Sequence, residues 1–180
     1  MKIKLLLLVY FLNVVAYAFW GPLLTAYAIT LNANPGLAGS LFAFFTLCQA
    51  LSVLFFGKLD NKNNRITLIV SGYVAQGLSA LLFISISNPV FLFLPLLTSA
   101  LGGGMIAPSW KALYSRSLTL NKEGKEWSYY DAGTYLAIAS GVFMGGFLAN
   151  YYGYKAIFTP LLAINIIAAL VLFSKRNLLK

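Results

Sequence analysis

A chain of 180 residues that is 60% hydrophobic and 9% charged has too little polar surface to fold as a water-soluble domain of that size, so its solvent is lipid. Its formal net charge of +9 comes from lysines and arginines that lie almost entirely outside the long apolar runs. That basicity reports membrane topology and contact with anionic lipid, and gives little reason to invoke nucleic acid. One cysteine, four acidic residues and no histidine leave metal-dependent or triad chemistry little to work with, so no enzyme activity, metal or cofactor is expected.

At the N terminus, Met1-Lys2-Ile3-Lys4 followed by an apolar run and Ala16-Tyr17-Ala18 imitates a cleavable signal peptide. The run continues through Phe19-Trp20-Gly21-Pro22 to Leu31 without a polar break, which suits an uncleaved first helix near residues 5–30. No charged residue stands between Lys4 and Lys58, a window far longer than the ~20 residues one helix needs to cross a bilayer core. It must hold two spans, and Asn32-Ala33-Asn34-Pro35-Gly36 supplies the reversal. The second span runs near 36–58 and holds Gln49 and the lone Cys48, read as a small packing residue.

The window from Arg65 to Lys111 is also uncharged and reverses at Ser87-Asn88-Pro89, giving spans near 65–86 and 90–113. Pro108 removes a helical hydrogen bond near the end of the fourth span, and Gly21-Pro22 weakens the first in a similar way. The fifth and sixth spans are placed near 128–150 and 156–174. Asp131 falls at the start of the fifth, where an acid in a first turn is favoured by the helix macrodipole. The other reading of Asp131 is a gate or ion-coupling group tuned by a cation such as Lys111 or Arg116. Gln49, Gln76 and Asn165 are buried amides expected mainly to bond between helices.

The fold expected is therefore an all-α integral membrane protein with six transmembrane helices, since the apolar runs lack the alternation a membrane barrel needs. Lys2, Lys4, Lys58, Lys62, Arg65, Lys111, Arg116, Lys122, Lys125, Lys175, Arg176 and Lys180 fall on one side of a six-span chain, and only Lys155 on the other. The excess of positive charge makes that side cytoplasmic, with both termini on it, in a multi-pass protein of the cell membrane.

The second connection reads Gly57-Lys58-Leu59-Asp60-Asn61-Lys62-Asn63-Asn64-Arg65 and is similar to the loop signature of the major facilitator superfamily. Gly57, Leu59, Lys62 and Arg65 match in place. Asn64 stands where a second glycine is usual, a substitution that a left-handed turn tolerates. Asp60 comes one position early, with Asn61 at the aspartate site. By itself the loop also reads as an ordinary basic turn at a membrane edge. Gly102-Gly103-Gly104-Met105-Ile106-Ala107-Pro108 in the fourth span, Gly141-Val142-Phe143-Met144-Gly145-Gly146 in the fifth, and Gly153-Tyr154-Lys155 after it resemble the family's glycine-rich helices and its entry into the sixth.

The resemblance implies a solute carrier whose first and fourth helices line a central cavity. Tyr10, Asn13, Tyr17, Trp20, Leu24 and Tyr27 recur at spacings of three and four along one stripe of the first span. Asn13, Tyr17 and Trp20, with Thr98 and Met105 of the fourth span, are the candidate solute-binding residues. Tyr10, Tyr27 and Trp20 also fit an interfacial belt or packing role. The loop residues Gly57, Leu59, Asp60, Lys62 and Arg65 are the candidate gate. Gly141 and Gly145 mark a small face on the fifth span, used either between halves or within one bundle.

Six helices are half of the family's usual twelve, so the expected function is alternating-access transport of a small solute by a half-carrier. Its expected partners are the lipid bilayer and a second copy in a homodimer, or a separately encoded six-helix half. The alternatives are a truncated inactive half and a non-transporting membrane module that binds or regulates partner membrane proteins.

Overall fold

The computed structural model describes residues 2–174, with side chains from Leu7 onward. The side chains of Lys2 and Lys4, and the residues Lys175, Arg176 and Lys180, on which part of the topology reading rests, lie outside that range. The first span is α1 (Lys2–Ala18), one 3₁₀ turn (Gly21–Leu23) and α2 (Leu24–Thr30). It breaks where Pro22 lacks an N–H, and where a Cβ on Gly21 would sit 2.8 Å from the Tyr17 ring.

Asn32 turns the chain with a positive φ of 67°, and the Asn34 side chain caps α3 (Pro35–Leu59) by accepting from the Leu37 N–H at 2.7 Å. The third span is α4 (Arg65–Ser85). Asn88 accepts from the Val90 N–H at 3.0 Å to start the 3₁₀ turn Pro89–Leu92, which leads into α5 (Phe93–Ser115). Helix α5 runs unbroken past Pro108. The fifth span, α6 (Glu123–Tyr152), ends at Gly153 with φ 83°. A 3₁₀ turn (Tyr154–Ile157) and α7 (Phe158–Ser174) complete the described chain.

Among the described residues, six helical spans are long and apolar enough to cross a membrane. Helix α5 packs along α3 and α4, α1 packs along α6 and α7, and α4 meets α7. The first helix of each three-span set thus lies against the second and third of the other set, while α1 and α5 stay largely apart. That separation leaves a gap between the first and fourth spans, and the site occupies it.

The core divides by membrane depth. At the end bearing Lys155, Trp20, Tyr27, Leu92, Phe83 and Phe158 form a dry cluster in which Phe83 and Phe158 stack at 4.4 Å. The Tyr27 hydroxyl reaches the Phe83 carbonyl at 3.0 Å, so this tyrosine is a core residue rather than part of an interfacial belt. At the opposite, basic end, Trp110, Tyr114 and Tyr130 gather around Tyr10, which stacks on Trp110 at 4.9 Å.

Glycines set the closest helix approaches. A Cβ on Gly141 would come 2.6 Å from the Val15 carbonyl oxygen, and one on Gly145 would come 2.6 Å from that of Phe19. The small face of α6 therefore packs against α1 inside the bundle. What α6 leaves outside is apolar and large, with Leu136 72% and Phe143 77% exposed.

Candidate functional site

Polar side chains collect at two depths. The deeper set begins with Asn13, whose Nδ2 donates to Gln76 Oε1 at 2.6 Å and to Asn165 Oδ1 at 3.2 Å. Asn165 in turn donates to the Leu161 carbonyl at 2.8 Å. One amide each from α1, α4 and α7 is thus linked in a buried chain, as the expense of an unpaired polar group in lipid requires. Beside it lies a recess of about 150 Å³ between the first and fourth spans. Tyr10, Asn13, Tyr17, Gln49 and Gln76 supply its polar wall, and Gly103 opens room for Gln49, whose Nε2 would stand 3.0 Å from a Cβ there.

The second set lies at the basic end. Asp60 caps the C-terminus of α3, and Arg65 opens α4. Arg65 Nη2 donates to Asp60 Oδ2 at 2.6 Å, and its Nε lies 3.1 Å from both carboxylate oxygens. Ser109 of α5 donates to Asp60 Oδ1 at 2.8 Å, which ties the loop to the fourth span. Both charged side chains are more than nine-tenths buried. Burial by itself would raise the Asp60 carboxyl, but the hydrogen bonds from Arg65 and Ser109 and the charges of Arg65 and Arg116 outweigh it and hold the group below its ordinary value. The one-residue displacement of the aspartate does not prevent the pairing.

Asn64 does not adopt the left-handed turn expected of it. Its φ is −106°, and its side chain accepts from the Asn61 N–H at 2.9 Å and donates to the Leu59 carbonyl at 2.8 Å. Asparagine serves there through its amide rather than through backbone freedom. Gly57, Leu59 and Lys62 are exposed and stand outside the clamp.

Asp131 also departs from expectation. Helix α6 starts at Glu123 rather than near 128, so Asp131 lies in its third turn, and Glu123 and Glu126 are the first-turn acids. Asp131 is exposed and is no N-terminal cap.

The candidate solute residues separate. Asn13 and Tyr17 line the recess together. Trp20, 2% exposed, packs edge-on against Tyr17 and Phe45 in the dry core. Thr98 donates its hydroxyl to the Leu94 carbonyl of its own helix at 2.9 Å, and half-buried Met105 stands outside the lining. Gln49, Gln76 and Gly103 are among the lining residues that periodicity did not single out as site residues. The signal for them was an amide at mid-span in each of two helices and a glycine run at similar depth in a third.

The chain is 23% identical over 165 residues to an uncharacterized MFS-type transporter of Methanocaldococcus jannaschii, a match that covers 92% of this chain and 43% of the relative. Its fold superposes on the POT family transporter PepTSo with a TM-score of 0.72 at 16% identity, over 98% of this chain and 37% of that one. It thus spans less than half the length of either. The sequence profile of the Major Facilitator Superfamily matches residues 6–178, and this multi-pass membrane protein belongs to that superfamily.

Proposed function

We propose that the chain forms a six-helix half of a solute carrier that works by alternating access, with the solute held near mid-membrane against the first and fourth spans. The observation that carries this reading is the recess itself: phenols and amides, with no charged residue among those described, share with Val14, Ile106 and Ala107 the lining of a gap in the bundle. The interruption at Gly21–Leu23 in the first span supplies a point at which that wall can bend. The Asp60–Arg65–Ser109 clamp fits a cytoplasmic latch. Lys58, Lys62, Lys111, Arg116, Lys122 and Lys125 at the same end support a cytoplasmic orientation for it, and for both termini.

A second six-helix bundle completes the cavity, and a second copy of this chain would insert with the same orientation. Native mass spectrometry from lipid reads the number of bundles in the active species. An active species holding a single six-helix bundle contradicts the pairing.

Uptake of a solute panel into proteoliposomes tests transport. The expected result is uptake above that of empty vesicles, reduced by Tyr17→Ala and by Asn13→Ala. Uptake at the empty-vesicle rate across the panel overturns the carrier reading and leaves a membrane module that binds partner proteins.

A further inference from the structure

The amide chain beside the recess fixes which atoms remain for a ligand. Only the nitrogen of Asn165 can donate to the Leu161 carbonyl, so its Oδ1 must accept. Asn13 therefore presents Nδ2 to Asn165 and to Gln76, and Gln76 answers with Oε1. The order admits no flip of any one amide without setting two like atoms against each other. Two atoms are left over: Asn13 Oδ1, an acceptor, and Gln76 Nε2, a donor, neither of which bonds to another described residue. Asn13 is 8% exposed and Gln76 is 9% exposed, and both line the recess.

Both atoms stay accessible from the recess, so a donor and an acceptor stand ready there for a ligand to bond. Neighbouring Gln49 adds a further amide, and Tyr10 and Tyr17 also line the recess. Among the described residues no charged side chain lines the recess, so an ammonium or carboxylate meets no counter-ion from them.

On the reading that this recess holds the solute, we propose that it selects neutral, planar solutes carrying a hydrogen-bond donor and an acceptor on neighbouring atoms, the carboxamide and lactam class. The solute carbonyl accepts from Gln76 Nε2, its N–H donates to Asn13 Oδ1, and a ring attached to it lies against the apolar lining of Val14, Ile106 and Ala107. A carboxylate loses the donor and a primary ammonium loses the acceptor, so each leaves one protein atom unmatched as well as an unpaired charge.

The test is binding of radiolabelled benzamide to the full chain in lipid nanodiscs, with unlabelled benzoate and benzylamine as competitors of similar size. Benzamide is expected to bind saturably, with both competitors weaker by roughly tenfold or more. Gln76→Met removes the donor and is expected to weaken benzamide by a similar factor. The competition series needs no variant, so it stands even if Gln76→Met does not fold.

Equal competition by the three compounds, or benzamide binding unchanged in a folded Gln76→Met chain, overturns the amide selectivity. If benzoate or benzylamine binds instead and Tyr17→Ala abolishes that binding, the recess stands as a solute site and the class assigned to it falls. No saturable binding of any of the three overturns the proposal. The carrier reading itself fails separately, on absence of uptake across the broader solute panel.

Discussion

The two polar networks of this bundle solve the same problem at different depths and with different chemistry. At the membrane edge the Asp60–Arg65 pair uses full charges, bound by Ser109 and surrounded by exposed lysines. At mid-membrane, Asn13, Gln76 and Asn165 use neutral amides alone. A charge is tolerable where water and headgroups are near and costly where they are not, so depth selects the residue type. The clamp is closed, with the guanidinium and carboxylate satisfying each other. The amide chain leaves one donor and one acceptor unmatched, the asymmetry on which the proposed roles of latch and solute wall rest.

The largest expected break in this comparison is Arg65→Ala, which strands a buried carboxylate. It should destabilise the bundle by about 3–5 kcal/mol, read from thermal or denaturant unfolding in mild detergent. A loss as small as that of a surface pair would mean that the clamp is solvated.

Acid should sharpen the contrast, because only the clamp titrates. The Asp60 carboxyl lies below its ordinary value of 3.8 in the folded state, so its contribution is fully present above that value and fades as pH falls through the lower folded value. A melting temperature followed downward from neutral pH should drop in that window for the unaltered chain. The Arg65→Ala chain should lack this drop, since the partner that depresses the carboxyl is gone.

Ser109→Ala removes one hydrogen bond to the charged carboxylate and is expected to cost about 1.5–3 kcal/mol in the same unfolding assay. Asn165→Leu removes one link of the amide chain, and membrane hydrogen bonds average about 0.6 kcal/mol, so its effect on stability should be the smallest. It should change solute binding more than stability, because it frees the Asn13 amide to turn. A stability loss in Asn165→Leu larger than in Arg65→Ala would reverse the ranking of the two networks.

The number of long apolar helices was legible because charge-free windows longer than one bilayer crossing, broken by Asn-Pro reversals, leave few ways to thread the chain. The start of α6 was not legible. Hydropathy marks where the apolar stretch begins, whereas the helix begins earlier, with Glu123, Lys125 and Glu126 in its first turns, and that moved Asp131 from cap to third turn. Periodicity found the stripe of the first span but not its direction. Asn13 and Tyr17 reach the recess, while Trp20 on the same stripe is sealed among Phe45 and Phe83. The two prolines show the same limit. Pro22, following Gly21, breaks its span, whereas Pro108 sits in a continuous helix between Ala107 and Ser109. The pairing of Asp60 with Arg65 survived a one-residue slip because Asn61 and Asn64 fold the loop through their own side chains.

Transport by alternating access requires the recess to meet water from each face of the membrane in turn. A single cysteine in place of Val14, which lines the recess, in a Cys48→Ser background can be challenged with a membrane-impermeant thiol reagent in right-side-out and inside-out vesicles. Labelling from both faces, slowed from both by a transported solute, is the expected result. Labelling from neither face, or from one face alone with and without solute, would contradict the carrier reading.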